Sequence, residues 1–232
     1  MKKCIFSLFF FAFFGLLQAQ NVQLHYDFGN GRNYLTSTVE MFKPDKYGST
    51  FFFVDMDYDL SNAKVKLAYF EIARDLKFWK LPIAFHTEYN GGLGQDNLSL
   101  AYQINSAFLN GVSYVWNDNT FSKGITFIAA HKYISGKNEQ SFQLTAVWYL
   151  KFWKNRLLFT GFADFWKEKN NFFLNAPLGT ETKFVFLTEP QLWFNVTKHF
   201  AVGTEIEIAS NFALHKGFKV CPTLGLKYNF ND

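Results

Sequence analysis

The chain closes with FKVCPTLGLKYNFND, residues 218–232. Phe218, Val220, Pro222, Leu224, Leu226, Tyr228 and Phe230 are apolar, while Lys219, Cys221, Thr223, Gly225, Lys227 and Asn229 between them are polar or small. Successive side chains of a strand point to opposite faces, so a period of two describes a strand with one apolar and one polar face. The same alternation recurs along the chain. Val22, Leu24, Tyr26 and Phe28 alternate with Gln23, His25 and Asp27; Phe52, Val54, Met56 and Tyr58 alternate with Phe51, Phe53, Asp55 and Asp57. Phe142, Leu144, Ala146 and Trp148 alternate with Ser141, Gln143, Thr145 and Val147, and Phe200, Val202, Thr204, Ile206 and Ile208 with Gly203, Glu205 and Glu207. The pattern predicts about twelve strands, spanning 22–28, 34–43, 49–59, 64–74, 79–90, 105–116, 121–134, 139–152, 156–167, 182–195, 199–211 and 218–230. The segment KVKLAYFEIAR, residues 64–74, alternates poorly and its register stays open.

The opposite end reads MKKCIFSLFFFAFFGLLQAQ. Two lysines followed by an unbroken apolar stretch and a small-residue site at Ala19 have the form of a secretory signal peptide. Residues 1–19 are therefore expected to be removed, leaving 20–232 as a single domain. Removal takes Lys2 and Lys3 from a net charge of only +4, so no nucleic-acid partner is expected. It leaves Cys221 as the single cysteine, which excludes an intramolecular disulfide framework and a cysteine metal site.

Aromatic residues make up 21% of the chain and outnumber the 18% that are charged, yet mean hydropathy is −0.07. A soluble domain of this size could not bury so many rings, and after the leader no apolar run approaches the roughly 18 residues of a membrane helix. A transmembrane β-barrel reconciles these numbers, because lipid-facing and lumen-facing residues alternate and cancel in any window average. The fold expected is an all-β, antiparallel transmembrane barrel with both termini periplasmic. Links after even-numbered strands are short (PDKYG, DLKF, NDNT, KN, VTK), and those after odd-numbered strands include the long GGLGQDNLSLAYQIN and EKNNFFLNAPLGTE. Outer-membrane barrels sort periplasmic turns from external loops in this way. The location expected is the bacterial outer membrane, with outer-membrane lipid and the barrel assembly machinery as partners.

A charge on the lipid face near the midplane costs about 2–4 kcal/mol, and the apolar faces carry almost none. The other face carries Glu40, Asp55, Asp57, Glu88, Lys132, Lys151, Asp164, Lys183, Glu189, Glu205, Glu207, Lys219 and Lys227. Pro82 and Pro222 are expected near strand ends, and Pro190 at a bulge, since proline removes a ladder donor.

Two constellations point to a solute path. Glu205 and Glu207 with Asp55 and Asp57 form either a constriction that binds hydroxyls and repels anions, or a filling in which the acids pair with Lys132, Lys183 or Lys219. Phe51, Phe53, Tyr149, Phe162, Trp166 and Trp193 face inward by the same register; rings there either stack planar solutes or pack the interior. Glu40, Glu88, Asp164 and Glu189 complete the candidate path. Tyr228 and Phe230 are read as girdle and assembly residues. No His or Cys arrangement suits a metal, and no cofactor is expected. No catalytic triad is legible: His86 beside Glu88 is the nearest approach to one. The glycines of GNG (29–31) and GGLG (91–94) read as loop turns.

Six stretches carry a family likeness: NVQLHYDFG (21–29), YLTSTVEMFKPDKYGSTFFFVDMDYD (34–59), YFEIARDL (69–76), LPIAFHTEYNGGLG (81–94), LLFTGFADFWKE (157–168) and LGLKYNF (224–230). Through them the chain resembles the nucleoside-specific outer-membrane channel family, the Tsx type, in one of its bacterial branches. The resemblance implies a twelve-stranded barrel with a narrow, flattened pore. It also implies passive diffusion of nucleosides, with lumen rings and ionisable groups binding base and ribose. The chain departs from the family in its trimmed external loops and in ending on FND rather than on the aromatic itself. The function expected is a non-enzymatic channel for small hydrophilic solutes, nucleosides above all. The alternatives are a plugged barrel acting as an enzyme or adhesin through its external loops, and a soluble periplasmic lipid binder.

Overall fold

A computed structural model describes residues 21–95 and 100–230. The proposed leader lies outside the described residues. The described residues contain no helix and thirteen ladder segments: β1 (Asn21–Asp27), β2 (Leu35–Asp45), β3 (Gly48–Asp59), β4 (Lys64–Leu76), β5 (Ile83–Gln95), β6 (Ala101–Asn117), β7 (Lys123–Ile134), β8 (Ser141–Phe152), β9 (Leu157–Asn170), β10 (Thr182–Thr188), β11 (Gln191–Asn195), β12 (Phe200–Ser210) and β13 (Phe218–Asn229). Each pairs antiparallel with its neighbours, and β10 and β11 both lie between β9 and β12 as two halves of one strand. β13 pairs with β1 from Asn229↔Asn21 to Thr223↔Asp27, closing a barrel of twelve strand positions. Closure leaves no unpaired edge, the condition for a sheet in hydrocarbon. Asn21 and Asn229 share one rim, here the terminal rim; the opposite one is the distal rim.

Burial follows the alternation. On β13, Cys221, Thr223, Gly225 and Lys227 are buried while Val220, Leu224, Leu226 and Tyr228 are exposed. Exposed rings gather at both rims: Phe78, Trp79, Trp116, Trp153, Tyr228 and Phe230 at the terminal rim, and Phe28, Tyr102, Phe108, Tyr133 and Phe218 at the distal one. An apolar outer belt between two ring girdles is a surface matched to a bilayer and its interfaces.

Several expectations need correction. GGLGQDNLSLAYQIN is mostly strand rather than a long loop, because β5 runs to Gln95 and β6 starts at Ala101. Gly91, Gly92 and Gly94 are therefore ladder residues; a Cβ at Gly92 would lie 2.3 Å from the Ala68 carbonyl oxygen, so the close strand approach requires glycine. Loop lengths consequently sort less sharply than expected. The terminal-rim links run from 46–47 to 77–82, and of the distal ones only 171–181 is long among described residues.

Pro82 lies just outside β5, as a rim residue should, and its carbonyl accepts the Val115 N–H at 2.9 Å. Pro190 makes a break and not a bulge. Thr188↔Ile208 and Gln191↔Glu205 keep one register across it, although the proline has no N–H to give the ladder. Pro222 lies inside β13, away from the rim, opposite Ile206. Its carbonyl accepts from Phe28, so its ring nitrogen faces the side where β1 has already ended. A true bulge explains the poor alternation of 64–74. Asp57 pairs with Leu67 but Tyr58 with Val65, leaving Lys66 as the extra residue.

Candidate functional site

The lumen is built by the odd or even set of each strand, and register places all the sequence candidates on it. Glu40 lies opposite Phe53, Asp55 opposite Thr38 and Asp57 opposite Thr36. Glu88 lies opposite Leu109, Asp164 opposite Thr145, Trp166 opposite Gln143 and Tyr149 opposite Thr160. Glu205 lies opposite Gln191, Glu207 opposite Cys221, and Phe51 is opposite Ala73 beside Phe53.

The interior divides into dry and wet sectors. Toward the distal rim, Ala107, Leu109, Ala130, Ile134, Trp166, Val185, Leu187 and Ala209 form an apolar cluster, capped by Phe212 from the 211–217 link. Near the β1–β13 seam, Trp193 is fully buried beneath Lys227, whose Nζ stands 4.0 Å from the ring centroid, and beside His25 at 5.5 Å. His25 bonds Thr223 and Gln23 through its two ring nitrogens. Glu88, Trp166 and Glu207 are buried in these sectors.

Glu40, Phe51, Phe53, Asp55, Asp57, Tyr149, Asp164, Glu189 and Glu205 are half-buried instead, although they point inward. Inward side chains keep solvent contact only where the lumen holds space. This wet sector runs along β2, β3 and β4 on one wall and β9 to β12 on the other. Three of its rings make one strip: Phe51 and Phe53 at 5.9 Å, Phe53 and Tyr69 at 5.8 Å. Tyr149 stands apart, its hydroxyl donating to Asn117 at 2.8 Å.

The acids fall into two groups. Asp55, Glu189, Glu205 and Glu207 interact electrostatically with one another, as do Glu71, Glu88 and Asp164. Thr36 donates to Asp57 at 2.7 Å, Thr38 to Asp55 and Gln191 to Glu205. The lysines expected to neutralise these acids do not do so by contact. Lys132 donates to Gln143 at 2.7 Å and covers the Trp166 ring at 4.3 Å, while Lys183 is exposed. In the first group the cation that pairs is Arg32, from the 28–34 link. Its Nη1 bonds Asp27, and its Nη2 bonds both oxygens of Glu207. Arg32, Glu71 and Tyr69 escaped the sequence reading, the first because it sits in a turn and the other two because the Lys66 bulge spoils their alternation.

His86 bridges Asp75 at 2.9 Å and Glu88 at 3.3 Å, and Ser113 donates to Asp75. The serine thus bonds the acid and not the imidazole, so this trio lacks the Ser–His contact of a nucleophilic triad. No group of three His, Cys, Asp or Glu side chains among the described residues has metal-binding geometry.

The distal mouth holds a cavity of about 270 Å³ between the 28–34, 171–181 and 211–217 links. The last two are tied together by Leu174 N–H to the Leu214 carbonyl at 2.8 Å and by Asn175 bonding both the N–H and the carbonyl of Lys216.

Residues 19–230 match the family described as "Domain of unknown function (DUF5020)". The chain belongs to that family. No curated protein matches this DUF5020 member in sequence. Among solved structures it is similar to the NanC porin, with TM-score 0.54 and 10% identity over 91% of this chain and 100% of that one. It is also matched to the outer membrane protein Omp33 of Acinetobacter baumannii, with TM-score 0.42 and 13% identity over 91% of this chain and 96% of that one. The NanC likeness is one of fold: a closed antiparallel barrel of the porin-like outer-membrane type.

Proposed function

We propose that this protein is an outer-membrane channel through which small hydrophilic solutes diffuse passively, with nucleosides as the favoured class. The terminal rim faces the periplasm and the distal rim the exterior, and a cleaved leader directs export. The observation that carries this reading is the wet sector, in which inward acids and rings keep solvent contact between two dry, packed sectors. Its excess of carboxylates disfavours anions. The Phe51–Phe53–Tyr69 strip offers planar faces for a base, and Asp55 and Glu205 on facing walls offer acceptors for ribose hydroxyls.

Proteoliposomes carrying the purified protein are expected to release nucleosides faster than sugars of equal size. Equal rates would remove the nucleoside preference and leave a general channel. A second reading, a plugged barrel acting through its external links, is favoured by the side chains that fill the dry sectors, Trp193, Leu109 and Val185 foremost. Planar-bilayer recording decides between the two, because a plugged barrel shows no conductance step.

A further inference from the structure

We propose that the distal cavity is a binding site for a small organic anion, a phosphate monoester or carboxylate carried on an apolar or aromatic body. The proposal goes beyond the channel reading and does not depend on conduction.

The cavity brings five charged side chains to one wall system: Arg32, Asp57, Lys66, Glu207 and Lys219. Three of these are already committed. Glu207 takes two hydrogen bonds from Arg32, whose other terminal nitrogen is held by Asp27. Asp57 accepts from Thr36. Lys66 and Lys219 have no carboxylate within ion-pair distance among the described residues. In the lining, Arg32, Lys66 and Lys219 outnumber Asp57 and Glu207 by one charge, and the two ammonium groups are its cations without an ion-pair partner among the described residues.

Lys66 is aimed there by a backbone device. It is the extra residue of the β3–β4 bulge, next to inward-facing Leu67. In a regular ladder its side chain would alternate to the lipid face, where a lysine is costly. Bulges recur where a side chain must be re-aimed toward a site. Lys219 arrives from the other side by ordinary alternation on β13, opposite Ala209. Apart from His215, Gly31 and Gly217, the remaining lining is apolar or aromatic, with Tyr34, Tyr102, Leu174, Phe212 and Leu214 foremost. A volume of about 270 Å³ lies at the small end of ligand cavities. An anionic head between the lysines and an apolar body against the rings fits this arrangement. The groups next inward are acidic, so the anion is held at the mouth.

The test is titration calorimetry on the folded full-length barrel in neutral detergent, with phenyl phosphate and benzoate as probes and inorganic phosphate and benzyl alcohol as the separated halves. Saturable binding of phenyl phosphate or benzoate, tighter than either half, is expected. Lys66→Gln and Lys219→Gln should each weaken it by roughly fivefold, Lys66→Arg should retain it, and 1 M salt should weaken it further. A heat-dependent gel shift verifies that each variant is folded. Absence of saturable binding to the wild type, or undiminished binding to the folded Lys66→Gln/Lys219→Gln double variant, overturns the proposal. Equal binding of inorganic phosphate also overturns it, because the apolar body would then contribute nothing.

Discussion

Arg32 Nη2 lies 2.7 Å and 2.8 Å from the two carboxylate oxygens of Glu207, and Arg32 Nη1 lies 2.8 Å from Asp27. A cation from a loop thus holds two strand acids, and the three side chains are largely removed from water. Removing one member leaves uncompensated buried charge, at about 3–5 kcal/mol. Arg32→Ala should lower the urea-unfolding free energy of the barrel in detergent by that amount, and adding Asp27→Asn and Glu207→Gln should restore part of it. An Arg32→Ala barrel as resistant to urea as the parent would show that the contact is incidental.

Glu189 and Glu205 face the wet sector together with Asp55. If solutes pass there, each carboxylate biases the path toward cations by about 1 kcal/mol, or roughly fivefold in permeability ratio. The reversal potential under a salt gradient should move toward zero in Glu189→Gln/Glu205→Gln. An unchanged potential places the conduction path elsewhere.

Gly203 pairs with Gly225, and both make room for the Trp193 ring. A Cβ at Gly203 would stand 2.4 Å from the Leu192 carbonyl oxygen and 2.5 Å from that ring, and one at Gly225 would stand 2.9 Å from the ring. Gly203→Ala should destabilise by about 1–3 kcal/mol through overpacking, and Trp193→Ala by about 3–5 kcal/mol through a cavity. In combination the two should cost less than their sum, since the ring's share of the clash is gone while that with the Leu192 carbonyl remains. Trp193→Ala should also enlarge single-channel conductance. Strict additivity in the urea midpoints would refute the contact.

Asp118 organises the link between β6 and β7, accepting from the Thr120 and Ser122 hydroxyls and from the Ser122 and Lys123 N–H groups. The Ser122 and Thr120 hydroxyls, and then the N–H groups, hold its carboxyl well below the usual aspartate range. A depressed folded-state pKa contributes stability that is complete above the unfolded aspartate value and is lost as pH falls below it. Melting temperature should therefore drop between about pH 5 and pH 2, and less so in Asp118→Asn. Identical pH profiles for the two proteins would remove the turn from the acid response.

Phe230 is exposed at the terminal rim and meets Tyr228 edge-on at 5.2 Å. If this pair is what the assembly machinery and the interface recognise, Phe230→Asp should sharply reduce the heat-modifiable, membrane-inserted fraction. Lys227 cannot serve as a neutral comparison, because it is buried over Trp193. Lys216→Ala, in an exposed link, can. Equal insertion of the two variants would refute the recognition role.

The strand pattern was legible because lipid and lumen impose opposite chemistry on alternate residues, and Val220, Leu224 and Leu226 carry that contrast without knowledge of any partner. Every acid chosen for the inner face lies there for the same reason. Lys66, Pro190 and the span from Gly91 to Gln95 misled because backbone events decide them. An extra residue reverses parity, a proline interrupts a ladder without shifting it, and glycines let strands run on where turn chemistry predicts a loop. By itself the sequence determined the barrel, the number of its strands and the sign of each face, all of which follow from a local period of two. Which acids receive a cation, where the interior is dry and where it is wet, and which lysines meet at the distal mouth depend on contacts between residues as far apart as Arg32 and Glu207. Only closure of the sheet and the folding of the links into it brought those side chains within reach of one another.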